Sequence, residues 1–182
     1  FLGTHDTPRI LTVLGADHVP ETREARAAFR LSPDQRAKGV ALVRLAALIL
    51  FTFPGSPTIF YGDEAGMEGF EDPFHRGTYP WGYEDRELLG HFARLGTLRR
   101  SRSALQKGTL SWITANGPLL AFAREGTDGR LVTVVNTDRA EQRLSLPWSG
   151  DTATDLLTGQ EFFPEEGTLT LCIPPRGGFL LG

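Results

Sequence analysis

Hydrophobic positions along the chain follow two rhythms. Between residues 33 and 53 they recur three and four apart, at Val40, Val43, Ala47 and Leu50, and Leu42, Leu45, Leu48 and Ile49 widen the stripe. That spacing predicts a helix with one buried face, enclosed nearly all round in its second half. Ser32-Pro33-Asp34-Gln35 opens it, with Ser32 as N-cap and Pro33 at the first helical position, and Pro54-Gly55 closes it. Residues 85–100 return to helical spacing, acidic at the start and closed by Arg99 and Arg100, the order the helix dipole favours. A short helix over 22–30 is expected inside the charged excursion 16–31. Phe1–Arg9 reads as the end of a buried strand that opens into a loop at Pro8, and Ser56–Gly62 as a short strand, apolar at its centre. Strand, helix and strand in that order predict a parallel α/β arrangement. Residues 62–85 form a loop long enough to suggest function.

After about Ser103 the pattern changes. Residues 119–124, 131–136, 142–146, 168–173 and 178–181 are runs of strand length, parted by turn signals such as Thr127-Asp128-Gly129 and Ser149-Gly150-Asp151. No helical spacing interrupts them, which predicts an antiparallel β-sandwich. The fold class is therefore α/β plus all-β, divided into residues 1–103 and 104–182.

Composition narrows the picture mainly by exclusion. The 182 residues suffice for one sizeable domain or two small ones. A net charge of -3 offers no basic excess for nucleic acid, and the longest apolar stretch, Leu45–Phe53, is far short of the ~18 residues of a membrane span. Cys172 is the only cysteine, so an internal disulfide and a cysteine-based metal cluster are excluded. In its alternating surroundings it reads as a small apolar strand residue. His18 and His91 lack a second ligand at metal-site spacing, and no Gly-rich phosphate loop is present. No metal or cofactor is expected.

The candidate chemistry lies in three ordered motifs. Gly3-Thr4-His5-Asp6-Thr7-x-Arg9 resembles the end of the seventh barrel strand in the α-amylase family of glycoside hydrolases (family 13). Pro54-Gly55-x-Pro57-x-Ile59-x-Tyr61-Gly62-Asp63-Glu64-x-Gly66-Met67 resembles the eighth strand and its loop. Asp72-Pro73-x-x-Arg76-x-x-x-Pro80-Trp81 continues the match and is most similar to the neopullulanase and cyclomaltodextrinase branch. Leu98-Arg99-Arg100 with Ala104-Leu105 resembles the eighth helix and its exit into the C-terminal β domain. The resemblance implies the C-terminal portion of a (β/α)8 barrel followed by an antiparallel β-sandwich.

It also implies a chemistry. Retaining glycosidases work between two carboxyl groups through an oxocarbenium-like transition state; this family adds a third carboxylate that binds the distorted sugar. The motif match makes Asp6 that third carboxylate. His5 would bind hydroxyls of the same sugar, and Asp72 and Arg76 the next glucose units. Both His5 and Asp6 would stand where a barrel strand ends, the face on which such enzymes build their sites. The nucleophile Asp and acid/base Glu belong to motifs after the fourth and fifth strands, which these residues do not include. Phe1 opens directly into a motif, as in a chain processed or cut from something longer, and the 182 residues alone are expected to be inactive. The intact protein would cleave or transfer α-glucosidic bonds in maltodextrins, pullulan or cyclodextrins, with α-glucan oligosaccharides as partners. The branch resemblance favours the cytoplasm. Two unclosed barrel strands should favour self-association.

Departures from the family pattern are Thr4, His75 where an amide is common, and the excursion 16–31. Asp63 and Glu64 read as structural, and Trp81 as a residue that packs its loop. Trp112 and Trp148 read as β-domain core; as an exposed pair they would instead support the alternative of a non-catalytic carbohydrate-binding or interaction module.

Overall fold

The computed structural model describes residues Phe1–Gly182. Five helices come first: α1 (Ile10–Gly15), α2 (Arg23–Ala28), α3 (Pro33–Thr52), α4 (Arg86–Ser101) and α5 (Ser103–Lys107). Strands follow: β1 (Thr109–Asn116), β2 (Leu119–Gly126), β3 (Gly129–Asn136), β4 (Gln142–Pro147), β5 (Ala153–Thr154), β6 (Glu161–Phe162), β7 (Thr168–Ile173) and β8 (Gly178–Leu181). The chain divides into two compact units, Phe1–Leu50 with Ser56–Ala93, and Phe51–Gly55 with Arg94–Gly182.

In the first unit α3 starts where the pattern predicts. Ser32 Oγ accepts from the Gln35 N–H at 3.2 Å and Gln35 Oε1 accepts from the Ser32 N–H at 3.0 Å, a reciprocal cap. Val43, Leu45, Ala47 and Leu48 are buried while Arg44 points outward. Helix α1, which the pattern did not announce, packs closely on α3. A Cβ on Gly39 would meet Leu11 Cδ1 at 2.9 Å, and one on Gly15 would meet the Gln35 carbonyl oxygen at 2.9 Å, so only glycine permits this approach. Asp85 opens α4 by accepting from the Leu88 N–H at 3.1 Å.

The strands expected at 1–9 and 56–62 differ from what forms. Residues 1–4 and 56–60 belong to no helix or strand, and every ladder in the structure lies between β1 and β8. A strand exists through the hydrogen bonds of a neighbour. Apolar composition supplies propensity but no partner, and Phe1 and Ile59 are 77% and 39% exposed.

The second unit is an antiparallel β-sandwich. A four-stranded sheet of order β1-β2-β3-β8 faces the pair β4-β7, with β5-β6 as a third small sheet. Ala121, Ala123, Val132 and Val134 from the large sheet meet Leu146, Leu169, Leu171 and Ile173 from the pair. Strand β7 alternates strictly, so Cys172 points out beside the inward Leu171 and Ile173. The β2–β3 hairpin turns at Thr127–Asp128, and Asp128 accepts from the Ser103 and Ala104 amides at 2.8 and 2.9 Å, capping α5. The Ser103 hydroxyl and these amides hold its carboxyl below the usual range.

Strand β1 was not foreseen, and it corrects the reading of Trp112. This tryptophan is 56% exposed on the edge strand, its ring 5.9 Å from Phe53 and 5.7 Å from Phe122. Trp148 does pack against the sandwich core, and its indole N–H donates to the Thr152 carbonyl at 3.1 Å.

The outer face of β2 is buried as well, and it carries Arg124. Arg124 donates to the carbonyls of Thr52 at 2.6 Å and Gly108 at 2.9 Å. Arg99 donates to Phe51 and Phe53 at 2.8 Å each and to Gly55. Together they satisfy the last two carbonyls of α3, at Phe51 and Thr52, and two just beyond it, where the helix dipole favours a cation. Burial shifts both guanidinium pKa values downward. Arg124→Ala should therefore lower unfolding stability by about 3 kcal/mol, through lost packing and stranded acceptors. Urea denaturation checks this, and a change below about 0.5 kcal/mol would refute the role given to Arg124.

Candidate functional site

The four residues singled out in the sequence meet at one place in the first unit. His5 and Asp6 occupy a turn, and the 62–85 loop brings Asp72 and Arg76 to it. Arg76 Nε lies 3.1 Å from Asp72 Oδ1, and Arg76 Nη2 is 3.7 Å from Asp6 Oδ1. His5 Nε2 is 3.2 Å from Asp6 Oδ2. The side chains are open to solvent, with His5 and Asp6 about 70% exposed (70% and 71%) and Arg76 44%. A guanidinium thus stands between two carboxylates, with an imidazole on the far side of Asp6. Such a surface offers donors and acceptors in alternation, suited to a polyhydroxylated ligand.

What holds this surface is buried beneath it. Arg9 is fully buried and its guanidinium lies over the rings of Phe60 and Tyr61, 4.3 and 4.6 Å from their centroids. It donates from Nε to the His75 carbonyl at 2.7 Å, and from Nη1 to the Tyr61 carbonyl and to Asp63 Oδ1, the latter at 3.3 Å. Its own amide donates to the Gly69 carbonyl at 2.9 Å. The Gly69 amide in turn donates to Thr12 Oγ1 at 2.9 Å. One arginine therefore ties the start of the chain to the beginning and the middle of the loop.

Asp63 and Glu64 make their contacts within the loop and with Arg9. Glu64 accepts from the Gly62 amide at 2.9 Å, and Asp63 is buried against Arg9. Burial pushes the Asp63 carboxyl up to about 6, outweighing the lowering by Arg9. Trp81, expected to pack its loop, is instead 79% exposed, with its ring beside that of Tyr79, centroids 4.6 Å apart.

Three supporting residues were not singled out for a role. In the sequence Arg9 is only the end of a motif, and His75 only a departure from the family pattern. Arg26, in α2, donates to Glu71 Oε1 at 2.6 Å and to the Pro20 and Glu21 carbonyls. It fastens the 16–31 excursion to the residue preceding Asp72 and holds the Glu71 carboxyl below its usual range. An arginine four residues after His5 was the available signal for Arg9; its acceptors, mostly main-chain carbonyls, leave no mark in sequence.

With the geometry established, similarity to known proteins gives the class. Residues 113–180 match the profile described as "Maltogenic Amylase, C-terminal domain". The chain belongs to the α-amylase family, in its neopullulanase and cyclomaltodextrinase branch. It is 34% identical over 183 residues to a cyclomaltodextrinase of Geobacillus thermopakistaniensis, covering 97% of this chain and 27% of that protein. An amylopullulanase of Thermoanaerobacter thermohydrosulfuricus is 33% identical over 197 residues, covering 100% of this chain and 13% of that protein. Among solved structures, the debranching enzyme of Nostoc punctiforme superposes with a TM-score of 0.71 at 29% identity, covering 100% of this chain and 34% of that one. The chain thus spans about a quarter or less of the length of these two curated relatives.

The buried Asp63 yields a pH prediction. Its folded pKa of about 6 lies above the ordinary 3.8, so its contribution to stability is fully present below pH ~3.8 and is lost as pH rises through ~6. Two pH units at about 1.4 kcal/mol each amount to up to about 3 kcal/mol. Asp63→Asn should remove that part of the slope when urea unfolding is compared at about pH 4 and pH 7. Identical slopes for the two proteins would contradict the burial cost assigned to Asp63.

Proposed function

We propose that these residues form part of a retaining α-glucan hydrolase acting on maltodextrins, pullulan or cyclodextrins, with Asp6 as its third carboxylate. In this reading residues 1–103 are the last strands and helices of a catalytic (β/α)8 barrel, and 104–182 its C-terminal sandwich. The observation that carries it is Arg76 placed between Asp6 and Asp72 with His5 alongside. Four polar side chains some 70 residues apart in sequence converge on one open surface. The names of the relatives support it, as does the acarbose-soaked crystal of the Nostoc punctiforme debranching enzyme, 28% identical over the whole of this chain.

The chemistry follows from charge. As a glucosidic bond breaks, positive charge develops on the sugar ring, and groups already aimed at it stabilise that state without reorganising. Asp6 supplies a carboxylate and His5 a donor for hydroxyls of the same ring. Arg76 and Asp72 offer a donor and an acceptor to the next unit. The nucleophile and acid/base of the reaction lie in the part of the enzyme that precedes this turn in the family.

A second reading rests on Trp112, exposed beside Phe53 on the sandwich. It makes the sandwich a carbohydrate-binding module whose affinity depends on aromatic stacking.

Two assays test these readings. The 182-residue chain alone should release no reducing sugar from maltodextrin. The enzyme encoded by its complete reading frame should release it, and Asp6→Asn should lower kcat/KM by at least about 10²-fold. An unchanged rate would sink the catalytic reading. Maltotriose binding that survives Asp6→Asn but disappears in Trp112→Ala would put the module reading in its place.

A further inference from the structure

His75 is 1% exposed, yet it sits directly under the most exposed side chains of the site. Its Nε2 lies 2.5 Å from the His5 carbonyl oxygen. A carbonyl can only accept, so Nε2 carries the proton and the ring is the Nε2–H tautomer when neutral. Arg76 Nε, 3.5 Å from that nitrogen, consequently finds its acceptors elsewhere: the His5 carbonyl at 3.2 Å and Asp72 Oδ1 at 3.1 Å. His75 Nδ1 is buried without a protein partner.

The peptide unit joining His5 to Asp6 is held at both ends. Its oxygen accepts from His75 and Arg76, and its nitrogen, the Asp6 amide, donates to Thr4 Oγ1 at 3.2 Å. Rotation of this one peptide plane would swing the Asp6 side chain, and the buried imidazole resists it. The imidazole is itself fixed from below, because the His75 carbonyl accepts from the buried Arg9.

We propose that His75 is a positioning residue for Asp6, its Nε2–H locking the His5–Asp6 peptide so that the carboxylate faces the ligand in one orientation. The inference rests on the catalytic reading of Asp6. The link runs through one side-chain donor and one main-chain acceptor, so any side chain that places an N–H at the same point should substitute.

Two measurements test it. In the complete enzyme, His75→Phe keeps a ring but removes the donor, and kcat on maltodextrin should fall about 10- to 100-fold with KM changed less than about threefold. His75→Gln restores an N–H and should recover most of that loss. In an Asp6→Asn background His75→Phe should have little further effect, since the residues act as a unit. If Asp6→Asn abolishes turnover while His75→Phe leaves kcat unchanged, the positioning role fails and the catalytic reading stands. If Asp6→Asn changes nothing, the catalytic reading fails first. Independently of activity and of whether a variant folds, ¹⁵N NMR of the unaltered 182-residue chain should show His75 as the Nε2–H tautomer with a slowly exchanging proton. An Nδ1–H tautomer would overturn the proposal.

Discussion

The first unit depends on the burial of a single guanidinium. Removing a full positive charge from water is costly, and a lone carboxylate rarely compensates for it. Arg9 is accommodated by several partners at once. Two aromatic faces cover it, two main-chain carbonyls accept from it and Asp63 provides a counter-charge. Those partners come from the start of the 62–85 loop and from its middle, at His75. The loop cannot shift without leaving the charge unsatisfied, and in this way a segment with little regular structure acquires a defined shape. His75 and Arg76 inherit their positions from this arrangement.

The second unit solves a similar problem with the same chemistry. The terminal carbonyls of α3 would be stranded by the helix end. Arg99 and Arg124 meet them with forked donors from α4 and β2. Lysine could bring the charge, but its three donors radiate from a single nitrogen and would not span acceptors several ångströms apart. In both units an arginine aimed at backbone oxygens does the joining, and the carboxylates are secondary.

This explains what the sequence disclosed and what it concealed. The start of α3 was legible because Ser32 and Gln35 are the side chains that make its cap. Strand β7 was legible because its alternation is also its burial pattern. His5, Asp6, Asp72 and Arg76 were legible through a motif, and the chain does bring them together. Segments 1–4 and 56–60 read as strands in the sequence and form no ladder here, because periodicity reports which face is apolar and not whether a partner stands alongside. Strand β1 escaped because an edge strand with Trp112 facing solvent lacks the alternation of a half-buried one. Arg9 and His75 escaped for a different reason. Their acceptors are mainly carbonyl groups that every residue possesses, so neither partner has a distinctive letter.

Arg9 and Arg76 differ in how firmly their contacts are held. Both are arginines facing carboxylates. Arg9 is dry, and each of its bonds would be expensive to break, because the group left behind could not find water. Arg76 is 44% exposed, and its pairs with Asp6 and Asp72 are of the solvent-accessible kind, typically worth no more than about 1 kcal/mol. A ligand hydroxyl can displace such a pair at little cost, because water already competes for it. Reversed, the arrangement would behave differently: a buried Arg76 could not exchange its partners for solvent, and an exposed Arg9 would let the loop drift. Placing the costly contacts in the dry interior and the cheap ones at the solvent boundary leaves the surface free to exchange partners while its frame stays fixed.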